Sequence, residues 1–315
     1  MMKPEFALAI HGGAGAIPRS SMSDVQEAAY RAVLAEALAA GRAVLAAGDP
    51  ALDAVCRAVL VMEDSPLFNA GRGSVFTHEG DIEMDAAVMV GRTRGAGAVC
   101  QLRGIRNPIL AARAVMERSG HVLLAAAGAQ AFAESVGLET APPEYFRTEA
   151  RWRQLLVARG AGTIALDHDQ KGVAGIEGPK FGTVGAVALD RAGGLAAATS
   201  TGGMTNKRWG RVGDSPVLGA GTWADETVAV SATGVGEMFI RAAAAHEISA
   251  RMRFLHEDVT SAAAAVLEDV ARLDGRGGLI AIDAQGRITM PFNTAGMFRG
   301  QLSSALDADI SIYRD

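Results

Sequence analysis

"FGTVGAVALD", Phe181 to Asp190, decides how the rest of the chain is read. A glycine and a threonine lead into apolar residues alternating with small ones, the pattern of a buried strand. Just upstream, "DHDQKGVAGIEGPK" (167–180) is polar and glycine-rich with no sustained period. Residues 159–182 therefore read as an exposed, mobile linker that stops abruptly where a strand begins. Downstream, "GLAAATST", "VLGAGTWA" and "TVAVSATG" are three more strand candidates in close succession, which predicts an antiparallel sheet.

The flanks supply helices. Ser23 with Gln26 makes a capping box, and Val25, Ala29, Ala32, Val33 and Leu38 recur at helical spacing until "GDP" at 48–50. Pro50 suits the first position of a second helix striped by Leu52, Val55, Val59 and Met62. Phe6 to Ile10 predicts a strand running into a glycine loop, "HGGAGAIP". "VFTHEGDIEMDAAVMVG" predicts a hairpin turning at Glu79 and Gly80, and "GAGAVCQLRG" another strand. Further helices are expected at 107–116, 122–136, 144–157, 237–248 and 261–273, with "GLIAIDAQGRITMPF" as a closing hairpin turning at 284–286. Helices then strands on each side of the linker predict an α+β fold in four αββα layers, two mainly antiparallel sheets packed face to face with helices outside.

Composition bounds the function. With 315 residues and 49% hydrophobic content the chain can bury one large core or two modest ones. A net charge of −5 offers no broad cationic surface for nucleic acid or acidic membrane, which leaves small molecules as partners. Cys56 and Cys100 lie in apolar stretches without a C-x-x-C pair, as expected of a reduced cytoplasmic protein. Neither a signal peptide nor a membrane span is apparent.

A threonine hydroxyl becomes a useful nucleophile only if a base takes its proton. An α-amino group on the same residue would serve, since it titrates at roughly 7.7–8.0 against about 10.4 for lysine. That base exists only if the peptide bond before Thr183 is cut, and Gly182 leaves the bond open to attack by the Thr183 hydroxyl. "ATSTGGMTNKRWGRVGDSP" adds a second hydroxyl, Thr201, then Arg211 and Asp214. An arginine fork suits a carboxylate and an aspartate suits an ammonium, together the head group of an amino acid. The plainer alternative is that Arg211 and Asp214 pair with each other. "SATGVGE" puts Thr233 and Gly234 at a strand-to-helix junction where backbone N–H groups can hold an oxyanion, or where the threonine merely caps the helix.

The ordered run of "HGGAG", "PLFNAGRGSVF", "EMDAAVM", "GTVGAVALD", "AATSTGGMTNK", "GRVGDSP", "TGVGE" and "PFNTAGMFR" resembles the plant-type L-asparaginases, or isoaspartyl (β-aspartyl) peptidases, among the N-terminal-nucleophile (Ntn) hydrolases. The resemblance implies one Ntn-hydrolase domain that cleaves itself between Gly182 and Thr183 into an α subunit, 1–182, and a β subunit, 183–315. It implies Thr183 as nucleophile, Thr201 as the threonine that orients it, and Asn69 beside it. It also implies Arg211 and Asp214 as ligands of the substrate α-carboxylate and α-amine, Thr233 and Gly234 as oxyanion hole, and Gly236 as a neighbouring substrate contact. Substrates would be L-asparagine and β-aspartyl dipeptides, with no organic cofactor and with αβ units paired into (αβ)2. The stretch 62–72 resembles a loop that holds structural Na+ through the backbone carbonyls of Met62, Glu63, Ser65, Phe68, Ala70 and Arg72. Relatives often carry an apolar residue where this chain has Arg72.

Three other readings compete. A nucleotide site on "HGGAGAIP" lacks both G-x-x-x-x-G-K-[ST] and G-x-G-x-x-G, and His11 there reads as a structural residue. A non-cleaving relative of the fold is opposed by the presence of Thr183, Arg211 and Asp214 together. A glycosylasparaginase-like hydrolase is the remaining alternative.

Overall fold

The computed structural model describes residues 3–15, 17, 19–162 and 182–314. The described residues form two sheets enclosed by helices, in the expected order helix, sheet, sheet, helix. β1 (Ala7–Gly15) runs straight through the glycines expected to form a loop, pairing on one side as far as Gly15 and bulging between His11 and Gly13. α1 (Asp24–Ala47) starts at the predicted box: Ser23 Oγ accepts from Gln26 N at 3.3 Å, and Gln26 Oε1 from Ser23 N at 3.0 Å. It stops at Gly48, whose φ of 90° a residue with a side chain rarely adopts. Pro50 is the extended N-cap of α2 (Ala51–Asp64) rather than its first residue.

The hairpin expected at Glu79 and Gly80 shrinks to one bridge, Phe76 to Ile82. The extended hairpin is β2 (Met84–Val90) with β3 (Ala96–Leu102). α3 (Pro108–Arg118) opens with its proline as predicted. The helix expected over 122–136 divides into β4 (Leu123–Ala125) and α4 (Ala126–Ser135), because Leu123 to Ala125 pair in parallel with Ala98 to Cys100. The pattern at 144–157 divides into α5 (Pro143–Phe146) and α6 (Glu149–Gly160). The expected linker thus begins inside a helix, where Arg159 Nε donates to the His78 carbonyl at 2.8 Å. Its remaining part, 163–181, lies outside the described residues.

β5 (Val184–Leu189) and β6 (Leu195–Thr201) join the first sheet, whereas β7 (Thr222–Ala224) and β8 (Val228–Gly234) build the second. The four successive strands are therefore two antiparallel pairs in different sheets, and residues 202–221 cross between them. The helix expected over 237–248 breaks at Ala243, in left-handed conformation, into α7 (Gly236–Arg241) and α8 (Ala244–Phe254). α9 (Val259–Arg272), β9 (Gly277–Asp283) and β10 (Ile288–Thr289) follow. The chain does not close there: β11 (Gly296–Ser303) and β12 (Asp309–Tyr313) extend the first sheet. The sheet orders are β12-β11-β1-β5-β6-β2-β3-β4 and β10-β9-β8-β7, antiparallel except for β3 with β4.

Strand alternation sorts the core. Leu8, Ile10, Val184, Ala186, Ala196 and Ala198 face the first helical layer, and Ala7, Ala9, Val187, Leu189 and Ala197 meet Ala229, Ile280 and Ile282 between the sheets. Val230, Ala232, Val266 and Leu279 pack under the second helical layer. A fully buried Val, Leu or Ile here contributes about 1.5–3 kcal/mol. The period of two also puts His11, Thr183, Thr199, Thr201, Thr222, Ser231 and Thr233 on the inter-sheet faces, so one end of that layer is polar.

Helix α3 lies so close to β3 that a Cβ at Gly97 would strike the Ala112 carbonyl oxygen and sit 2.5 Å from Met116 N, both backbone atoms. Gly97→Ala should therefore lower stability by about 3 kcal/mol in urea unfolding. Gly128→Ala, with nothing within 4 Å in an exposed part of α4, should raise it by about 0.5–1 kcal/mol.

Candidate active site

Thr183 immediately precedes β5 and is buried. Val184 pairs with Ser200, so continuing the register sets Thr183 opposite Thr201 at the end of β6. On the other flank β1 swings past with Gly13 at φ 106°, so close that a Cβ there would lie 2.6 Å from Gly182 N. Only glycine lets the two backbones cross at this junction. His11 Nδ1 donates to the Thr183 carbonyl at 3.1 Å, and Thr183 Oγ1 lies 3.4 Å from the Ser215 hydroxyl.

One cavity brings together Gly182, Thr183, Thr201, Arg211, Asp214 and Gly234. Arg211 does not pair with Asp214. Its Nε and Nη2 donate to the two carboxylate oxygens of Glu237 at 2.9 and 3.0 Å, which fixes the plane of the guanidinium. Asp214 Oδ2 is buried and has no hydrogen-bond partner among the described residues. Burial pushes its carboxyl up to about 7, against the opposing pull of Arg211. Gly221 and Gly236 make room for this carboxylate, since Cβ atoms there would fall 2.9 and 2.7 Å from its oxygens. Gly236 thus packs against Asp214 and does not itself line the cavity.

Thr233 Oγ1 accepts from Ala14 N at 3.4 Å, and Val235 caps α7 without a side-chain bond, so the threonine is not a helix cap. Asn69 sits behind the wall: Nδ2 donates to the Gly203 carbonyl at 2.7 Å, Oδ1 accepts from Val75 N at 3.1 Å, and its carbonyl accepts from Gly202 N at 3.0 Å. It braces the turn after Thr201, whose Oγ1 accepts from Gly203 N at 2.9 Å. Buried Lys207 holds the same turn, donating from Nζ to the carbonyls of Gly202 and Glu83 at 3.0 and 2.7 Å. Glu237, Ser215 and Lys207 were not singled out from sequence, although each stands inside a quoted motif.

In the 62–72 loop, Cβ atoms at Gly71 and Gly73 would strike the carbonyl oxygens of Glu63 and Phe68, and the Gly73 one would lie 2.8 Å from that of Pro66. Met62 and Ala70 carbonyls each accept one bond, from Ser65 N and Gly73 N, and keep a free lone pair. A crowd of main-chain oxygens in a cradle only glycine permits is a donor set that fits a hard monovalent cation.

One cavity thus holds a buried carboxylate oxygen with no hydrogen-bond partner among the described residues, a guanidinium oriented by Glu237, and a threonine preceded by glycine. The family model described as asparaginase matches residues 4–312. The chain belongs to this asparaginase family. An isoaspartyl peptidase of Salmonella typhimurium is 51% identical over 310 residues, 98% of each chain. A putative isoaspartyl peptidase/L-asparaginase of Dictyostelium discoideum is 46% identical over 95% of this chain and 94% of its own. A plant-type L-asparaginase of Pyrobaculum calidifontis is 43% identical over 93% and 95% respectively. Among the described residues no helix is long and apolar enough to cross a membrane.

Asp214 sets a pH dependence. Its folded carboxyl keeps a proton up to about 7, well above the ordinary 3.8, so its contribution to stability is complete at low pH and is lost as pH rises through about 7. An α-ammonium ligand needs the ionised form and shifts the balance the other way. Calorimetric affinity for an α-amino acid should therefore fall as pH drops below about 7, approaching tenfold per unit. Glu237→Ala, which releases the Arg211 fork, should weaken the same affinity by about tenfold at pH 8.

Proposed function

We propose that the chain matures by cutting itself between Gly182 and Thr183, and that the new N-terminal threonine is the nucleophile of an isoaspartyl peptidase/L-asparaginase. The observation that carries this reading is the shared cavity: Thr183 with glycine before it, Arg211 held by Glu237, and Asp214 with its buried Oδ2 unpartnered among the described residues. In maturation the Thr183 hydroxyl attacks the Gly182 carbonyl carbon, the C–N bond breaks, and the acyl group passes to oxygen. Water hydrolyses the ester, freeing a Gly182 carboxylate and the Thr183 amine, and the halves are 1–182 and 183–315.

In turnover that amine takes the hydroxyl proton as Oγ attacks the side-chain carbonyl of the substrate. Arg211 binds the substrate α-carboxylate and Asp214 its α-ammonium, which fixes the carbonyl over Thr183. Thr233 and Gly234 stabilise the charge that develops on the carbonyl oxygen. The proton passes to the departing nitrogen, which leaves as ammonia from asparagine or as an α-amino group from a β-aspartyl dipeptide. Water then resolves the aspartyl ester. Thr201, directly across from the nucleophile, orients its hydroxyl, and Asn69 supports the turn that follows.

No organic cofactor enters these steps. The carbonyls of Met62, Glu63, Ser65, Phe68, Ala70 and Arg72 would hold Na+, whose role is to stiffen the loop carrying Asn69. We place the enzyme in the cytoplasm as an (αβ)2 dimer of cleaved units; buried free Cys56 and Cys100 suit a reducing compartment.

Intact-mass spectra and assays with asparagine and a β-aspartyl dipeptide test the reading. Wild type should separate into fragments meeting at 182/183. Thr183→Ala should stay whole and lose activity at least about a thousandfold; a cut, active variant removes Thr183 from the mechanism.

A further inference from the structure

β1 and β5 stop pairing at His11 and Gly185, where β1 bulges, and the ladder between β5 and β6 starts only at Val184. Thr183 therefore lies beyond both ladders. Once severed from Gly182 it would be a strand terminus, the part of a chain that frays first. A side chain takes over the anchoring: His11 Nδ1 reaches the Thr183 carbonyl at 3.1 Å.

A carbonyl can only accept, so Nδ1 carries the ring proton and Nε2 is an acceptor. The Ser231 hydroxyl, 2.9 Å from Nε2, must then donate to it, and its oxygen accepts from Thr199 at 2.7 Å. With the Thr199 proton given to Ser231, the single Thr222 proton goes either to Thr199 Oγ1 at 2.6 Å or to the Ser215 carbonyl at 2.9 Å, so the hydrogen-bonded chain from the ring is continuous through Ser231 and Thr199. Separately, Ser215 Oγ is 3.4 Å from Thr183 Oγ1. His11, Thr199, Thr222 and Ser231 are fully buried and Ser215 nearly so, so a lost member leaves its neighbours with a buried polar group to satisfy. Burial pushes the imidazole down to about 3, which keeps it neutral and in one tautomer.

We propose that His11 is a positioning residue for the nucleophile: it stands in for the missing ladder partner of Thr183 by holding the Thr183 carbonyl, and Ser231, backed by Thr199, holds the ring in the one tautomer that can do so. The inference rests on the assignment of Thr183 made above. The imidazole transfers no proton in turnover and touches no substrate; it acts through the threonine backbone.

Three variants of the full-length chain test it. His11→Leu removes the anchor. His11→Asn keeps it, because the amide nitrogen occupies the place of Nδ1 and still donates. Ser231→Ala keeps the ring and frees its far side. His11→Leu should slow self-cleavage and lower kcat by about thirtyfold with KM within about threefold, the size expected when a reacting group is misplaced by less than 1 Å. His11→Asn should recover most of both rates, and Ser231→Ala should lower kcat by about fivefold. An Asn variant no better than Leu would reduce the histidine to a space-filler and overturn the proposal. So would a soluble Ser231→Ala with wild-type kcat, and that variant alone decides if His11→Leu does not fold. Thr183→Ala is run alongside: if it remains active, the nucleophile assignment falls and this inference with it. If it is dead while His11→Leu matches wild type, only this inference falls.

Discussion

Two sheets can lie face to face only if every polar group trapped between them has a partner, because an unpaired one costs about 1–3 kcal/mol at each occurrence. Through most of this layer the problem is avoided with alanine, valine and isoleucine. At one end the same strand faces turn to His11, Thr199, Thr222 and Ser231, and there it is solved by mutual hydrogen bonding. The polar end is where β1 bulges away and where residues 202–221 cross between the sheets, carrying Arg211, Asp214 and Ser215. The site is thus the seam at which a closely packed interlayer opens.

The charges follow the same logic. Glu237 satisfies Arg211 from one edge of its fork, so the partly buried cation is held in place with its other edge facing the cavity. Asp214 has no hydrogen-bond partner at Oδ2 among the described residues and responds to burial by holding its proton. On the proposed reading, a ligand lacking the ammonium would leave the buried Asp214 carboxylate uncompensated, which is a strong basis for discrimination.

Much of this was legible in the sequence because it is local. The Ser23–Gln26 box, the Gly48 stop, Pro108 at a helix start and the period of β5, β6 and β8 are set by neighbours within a few residues. What was missed depends on distant partners. The glycines of β1 look like a loop, yet Gly12 and Gly13 are there because Phe68 and Gly182 press against them. Leu123 to Ala125 carry a helical pattern that pairing with β3 overrides. β11 and β12 become strands by adding to an edge already formed. Thr183, Thr201, Arg211, Asp214 and Gly234 were legible and share one cavity, while Glu237 and Ser215 matter through contacts that spacing alone does not report.

The strand order has a consequence for a chain nicked before Thr183. Reading across the first sheet, β12 and β11 come from the second half, β1 from the first, β5 and β6 from the second, and β2, β3 and β4 from the first. β1 is gripped on both sides by strands of the other piece, so the halves are interleaved like two hands of cards and cannot drift apart while folded. Unfolding dissolves that interleaving. Recovery then changes from a unimolecular to a bimolecular reaction, in which two separate fragments must meet and thread one sheet together. The cut that creates the catalyst would make its folding a one-way event, and its lifetime would be governed by the rate of unfolding rather than by an equilibrium.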